Sequence, residues 1–229
     1  MKEVLIERFS TNNPTLDLTL NENESKTIIV FNDGKSETTY NLNASVKKGA
    51  HLNIYNVVTS DYSTKINETI TLDEKDANVE ILNVLLLTSD AHLESNIMIR
   101  HLEKETKSNF LNYAIAKDNA SMVLNNNAFI KQGASKSVVQ QKAKGLTLSK
   151  KAKIKAMPNL FIDEYDVIAN HAAAIGSINK EDLFYLMSRG LEESTASSLI
   201  VLGFIKPLLD KIEDENLKKE ISESFIKKL

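Results

Sequence analysis

The sequence predicts a mainly β protein: a parallel β-helix over residues 1–178, followed by a small α-helical domain over residues 179–229. Three observations predict it. Short alternating runs fill the first region, an alanine recurs where those runs begin, and the period changes to that of a helix near residue 179. The runs include "KTIIVF" (26–31), "HLNIYNVV" (51–58), "ETITL" (68–72), "NVEILNVLLL" (78–87), "SNIMIRHL" (95–102), "SNFLNYAIA" (108–116) and "SMVLNNNAFI" (121–130). Many alternate apolar with polar residues, the two-residue period of a strand, and helical spacing is nowhere sustained among them.

The recurrent alanines are Ala50, Ala77, Ala91, Ala120, Ala134 and Ala152. Each follows one or two polar or glycine residues, and the intervals of 27, 14, 29, 14 and 18 residues include two steps of 14 and two near twice that, which suggests stacked rungs. A small side chain suits a corner where the backbone turns sharply. A propeller blade needs four antiparallel strands in roughly 40 residues, which this spacing does not fit. The chain has 7 glycines and 3 prolines, and "NDGK" (32–35) is the one tight hairpin signal. From pattern alone, a jelly roll or other β-sandwich remains the alternative.

The helical region opens on "NKEDLFYLMSRG" (179–190). Asn179 is placed to cap the helix start, with Asp182 near the positive end of its dipole. Arg189 falls in the last turn and Gly190 just beyond it. A second helix follows, in which Pro207 is expected to produce a kink or a restart. In the third, Leu217, Ile221, Phe225 and Leu229 recur every four residues, an amphipathic stripe.

Composition excludes several chemistries. The net charge of −3, from 28 basic and 31 acidic residues, gives no basic field for nucleic acid. With no cysteine, disulfides, zinc–thiolate sites and a thiolate nucleophile are absent from this chain. No stretch approaches the roughly 20 apolar residues of a membrane span, and "MKEVLIERFS" lacks a signal-peptide core, so the expected location is the cytoplasm. "DGKS" (33–36) matches the end of a P-loop, but Ile29 stands where the motif needs its first glycine. No nucleotide is expected on this chain. His51, His92 and His101 lack metal-ligand spacing and read as structural. Asp163, Glu164 and Asp166 read as a solvated turn, because alternation turns Asp166 away from His171.

His171 is the residue that composition does not explain. It lies in "VIANHAAAIGS" (167–177), on one strand face with Val167, Ala169 and Ala173. Small neighbours leave space around the ring, for packing against another subunit or for a ligand such as iron.

Residues 133–204 resemble the C-terminal part of the SufB/SufD family, scaffold proteins of the SUF iron–sulfur cluster assembly system. The resemblance rests on Gly133-Ala134, Gln140, Leu146, Pro158-x-Leu160-x-Ile162, Asp166-Val167, His171, Gly176-x-Ile178, Phe184-Tyr185-Leu186, Ser188-Arg189-Gly190, Ala196 and Gly203-Phe204. It implies a right-handed parallel β-helix with a helical appendage, acting without enzymatic chemistry of its own. It implies pairing with an identical chain or a SufB-like one, and docking on a SufC-type ABC ATPase. His171 then becomes a candidate ligand for iron or a transient cluster shared at the subunit interface, and Phe184, Tyr185, Arg189 and Gly190 candidate contacts to the ATPase. For Phe184 and Tyr185, packing between helix and β-helix is the alternative. The sequence departs from the family at Ala152, where SufB-type chains carry a cysteine, and at Ala169, where SufD-type chains often do. Asn170 and Ala172 stand where SufB-type chains have a glutamate beside the histidine. A short SufD-like member is the reading, with a structural β-helix that binds a partner without metal as its rival.

Overall fold

A computed structural model describes residues 3–8 and 14–229. Thirteen strands, β1 (Glu3–Arg8), β2 (Thr15–Leu20), β3 (Ser25–Asn32), β4 (Thr38–Val46), β5 (His51–Ser60), β6 (Thr64–Leu72), β7 (Asn78–Leu87), β8 (His92–His101), β9 (Lys107–Ala116), β10 (Ser121–Ile130), β11 (Val138–Thr147), β12 (Lys153–Ile162) and β13 (Ile168–Ser177), precede three helices. The helices are α1 (Lys180–Ser188), α2 (Glu193–Leu209) and α3 (Glu215–Ile226). Odd strands form one sheet in the order β1-β3-β5-β7-β9-β11-β13, and even strands the other, from β12 to β2. Every ladder among the described residues is parallel. The result is a β-solenoid of about six turns, as the sequence predicts, and the sandwich alternative falls. Among the described residues, no helix is long and apolar enough to cross a membrane.

The alanines mark the corners. The N–H groups of Ala50, Ala77, Ala91, Ala120, Ala134 and Ala152 each close a turn onto the carbonyl three residues earlier, at 3.0 to 3.3 Å. Their methyl groups are buried. A larger side chain there would meet the next rung, since rungs stack at strand spacing. Left-handed residues sit inside several of these turns, Gly49 at φ 62 and Asp76 at φ 61 among them.

Inside the coil, parallel register places equivalent residues in columns. Ile28, Ile54, Ile81 and Phe110 form one, each fully buried. Asn56, Asn83 and Asn112 form another, also buried, and pass hydrogen bonds along it. Asn56 Nδ2 donates to Asn83 Oδ1, and Asn83 Nδ2 to Asn112 Oδ1, both at 2.8 Å. Bonded neighbours in this string, one rung apart, differ by 27 or 29 residues, which identifies the longer alanine interval as one full turn. Asn56 Nδ2 also donates to Glu68 Oε1 at 2.8 Å. Burial pushes the Glu68 carboxyl up to about 7. His101, sealed between Thr106 Oγ1 and Ser108 Oγ at 2.8 Å each, is pushed down to about 4 by burial. It is a structural histidine, as the sequence suggests.

The helices cover one wall. Val201, Ile205 and Leu208 of α2 and Leu217, Ile221 and Phe225 of α3 are buried against outer residues of the odd sheet, including Phe31, Tyr55, Val57, Leu82, Val84 and Ile115. Arg8 of β1 grips Glu220 of α3 at 2.5 and 2.8 Å, and Lys228 pairs with Asp61. The caps read from the sequence are present. Asn179 accepts from Glu181 N, and Gly190, at φ 92, ends α1 with Gly190 N to Met187 O and Leu191 N to Leu186 O. α2 runs through Pro207 and stops two residues later, so Pro207 sits inside one helix rather than restarting it.

The buried acid and the buried imidazole oppose each other in pH. Glu68, raised when folded, lends stability that is complete below about pH 4.5 and lost as pH rises through about 7. His101, lowered when folded, lends stability that is complete above about pH 6.5 and lost as pH falls through about 4. Denaturant titrations of wild type and Glu68→Gln should therefore diverge with pH: between pH 4.5 and pH 8 the variant gains on wild type by about 3 kcal/mol.

Candidate functional site

The solenoid is open at its C-terminal end, and of the sequence-predicted site residues His171 lies there. There β13 is the edge of the odd sheet and β12 the edge of the even sheet. Both therefore leave a row of backbone groups without a neighbouring strand. The end is apolar: Phe161 is 51% exposed, Ile162 42%, Ile168 59% and Ile175 42%. Ala172, Ala173 and Ala174 are exposed beside them.

His171 stands on β13 in the core-facing column. Its register partner on β11 is Gln141, which lies on Phe110, then Ile81, Ile54 and Ile28. The ring thus occupies the place that an aliphatic core residue fills four rungs earlier, and it is exposed there because no rung follows. A cavity of about 170 Å³ opens at this point, lined by Gln140, Gln141, Lys142, Asn170, His171 and Ala172. The neighbouring asparagine column ends in Ala143 and Ala173, which leaves room at the mouth.

The helical candidates lie apart from this mouth but close to it in sequence. Ile178 and Asn179 alone separate β13 from α1. α1 packs on α2 and buries none of its own residues. Phe184 is 73% exposed and Tyr185 56%, so neither packs between helix and solenoid. Arg189 lies 5.2 Å from the Tyr185 ring centroid, a cation–π contact, and Gly190 forms the turn that ends the helix. Glu164 accepts from the backbone N–H groups of Gly133, Tyr165 and Asp166, which hold its carboxyl below the usual range. That acidic group organises a turn.

The donor set limits what this chain holds alone. Among the described residues no three of His, Cys, Asp and Glu come together. Ala152 is a corner residue, and Ala169 is partly buried beside Val139 and Ala134. Iron–sulfur clusters are held chiefly by thiolates, and this chain contains no cysteine. It offers one exposed imidazole, His171, at the open end of the coil.

The model of the "SUF system FeS cluster assembly, SufBD core domain" family matches residues 6–204, nearly the whole coil and the first helices. The chain belongs to the SufBD core-domain family. It is 39% identical over 123 residues to the iron–sulfur cluster assembly protein SufD of Bacillus subtilis, covering 54% of this chain and 28% of that protein. It is 31% identical over 188 residues to SufD of Plasmodium falciparum, covering 81% of this chain and 13% of that one. A SufBD family protein of Mycobacterium leprae is 28% identical over 188 residues, 79% of this chain and 21% of the relative. The matches thus take in under a third of the length of each of these SufBD relatives.

Sequence reasoning missed Gln141. It singled out the neighbouring Gln140, whose side chain points outward, whereas Gln141 is 2% exposed and lies under His171. Aligning "VVQQKAKGLT" with "IANHAAAIGS" as successive turns reveals the pairing.

This geometry separates exposed candidate residues from core residues. His171→Ala, Phe184→Ala and Tyr185→Ala should each leave the denaturation midpoint of the isolated chain within about 0.5 kcal/mol of wild type. Phe110→Ala should cost about 3–5 kcal/mol in the same titration.

Proposed function

We propose that this chain is a scaffold subunit in iron–sulfur cluster assembly. It pairs through the C-terminal mouth of its solenoid with a second scaffold chain, either its own copy or a SufB-like one. It places His171 at the seam as one ligand to iron or a transient cluster, which is the cargo. It presents α1 to a SufC-type ABC ATPase through Phe184, Tyr185, Arg189 and Gly190. The observation that carries the reading is the mouth itself, where a core column surfaces as an imidazole among alanines between two unpaired strand edges. A mouth of this kind is completed by another sheet edge. Alanines at its rim let a second backbone approach closely.

The missing thiolates bear on the partner. Two copies of this chain bring two imidazoles and no sulfur ligand, so cluster binding by thiolate calls for a cysteine-bearing sister chain or for cargo that carries its own sulfur. The ATPase supplies nucleotide chemistry that the sequence gives no sign of here. The chain's own part is to hold, orient and release.

A second reading, a solenoid that binds its partner without metal, draws on the same lack of cysteine. Anaerobic co-expression with the cognate ATPase and a SufB-like scaffold separates the two. The proposal expects all three to co-purify, Ala173→Glu to break the scaffold pair by placing a carboxylate at the rim, and His171→Ala to keep the pair but lower its iron content severalfold. Unchanged iron in His171→Ala with the pair intact supports the metal-free reading. Failure of the folded chains to co-purify removes the scaffold proposal.

A further inference from the structure

Gln141 breaks the rule of its own column. The four residues stacked before it are Ile28, Ile54, Ile81 and Phe110, all fully buried hydrocarbon. Gln141 is as well sealed as they are, at 2% exposure. Its Nε2 donates across the lumen to the Asn159 carbonyl of β12 at 3.4 Å, which orients the amide. Its Oε1 is buried and accepts no hydrogen bond. A buried amide oxygen without a partner is destabilising, and a leucine there would avoid the cost.

The next position in the column is His171, and both residues are among those lining the cavity on these two strands. The other donors lining that cavity, Gln140, Lys142 and Asn170, sit at alternate positions on the two strands, so their side chains leave the opposite face of the sheet. His171 is exposed and turns about two side-chain torsions. By register it is the donor-bearing residue stacked directly on Gln141.

We infer that Gln141 is a positioning residue for His171: its Oε1 accepts the N–H of one ring nitrogen, fixing a single neutral tautomer and turning the lone pair of the other nitrogen toward the seam. An imidazole whose one N–H is held by a carbonyl is a better oriented and more basic metal ligand. The inference rests on the reading of His171 as a ligand, but orientation of the ring is a separate observable.

The test uses the full chain labelled with ¹⁵N-histidine. Long-range ¹H–¹⁵N correlation at pH 8 reports the tautomer of each ring, and the His171→Gln spectrum identifies the signals of His171. Wild type should show one tautomer at His171. Gln141→Met, which keeps the volume but removes the acceptor, should move the ratio of tautomers at least threefold toward that of free histidine, and Gln141→Glu, which retains an acceptor, should restore it. Thermal melts confirm that each variant is folded. Equal tautomer ratios in wild type and folded Gln141→Met overturn the inference. Ferrous iron alone, titrated anaerobically into the same samples, should bind about tenfold more weakly to Gln141→Met. If the tautomer responds while wild type binds no iron, positioning by Gln141 stands and the metal reading of His171 falls.

Discussion

Parallel register is the constraint on which this structure depends. Because each strand pairs in parallel with the equivalent strand of the next turn, every inward residue lies on its counterpart, and the interior is a set of columns rather than a mixed core. A column tolerates hydrocarbon at every level, as Ile28 to Phe110 show, or a polar group whose successor can answer it, as Asn56, Asn83 and Asn112 do. The alanine corners serve the same constraint. Each keeps the turn small enough for the next rung to seat at strand spacing.

A solenoid built this way cannot complete itself. Its columns have a last member and its sheets a last edge, and both fall at β12 and β13. The helices do not close this end. Their apolar faces lie on the odd sheet as far as Leu146 of β11, while the outer columns of Leu111 and Tyr113 change to Lys142 and Lys144, then to Ala172 and Ala174. In those two columns the change from apolar to lysine to alanine marks a wall without an apolar face. The proposed pairing draws on this open mouth, beside membership of the SufBD family.

Much of the coil was legible because its strands obey the two-residue period and its corners repeat. The run 78–87 matches β7 and 121–130 matches β10 end for end. β2 and β4 escaped: "TLDLTL" alternates but is short and set in an asparagine-rich stretch, "TTYNLNASV" carries few large apolar residues, and both stay in the sheet through register with their neighbours. The helix caps at Asn179 and Gly190 were legible from local chemistry alone. The buried polar groups were not. Glu68, Asn56 and Gln141 look in sequence like any solvent-facing strand residue, and only the phase of each strand, set by its partners, turns them inward. His171 was visible as an anomaly, but its column was not, since that requires knowing which residue thirty or so positions earlier lies beneath it.

The join between β13 and α1 has a mechanical meaning. With just Ile178 and Asn179 between them, there is no slack loop to absorb displacement. α1 is fastened to the body through α2 and otherwise stands free, with its aromatic side chains outward. A pull on that helix is therefore delivered at once to the outermost strand, the one that bears His171 and has a neighbour on one side only. The molecule is wired as a short lever whose handle and load share a single stretch of backbone.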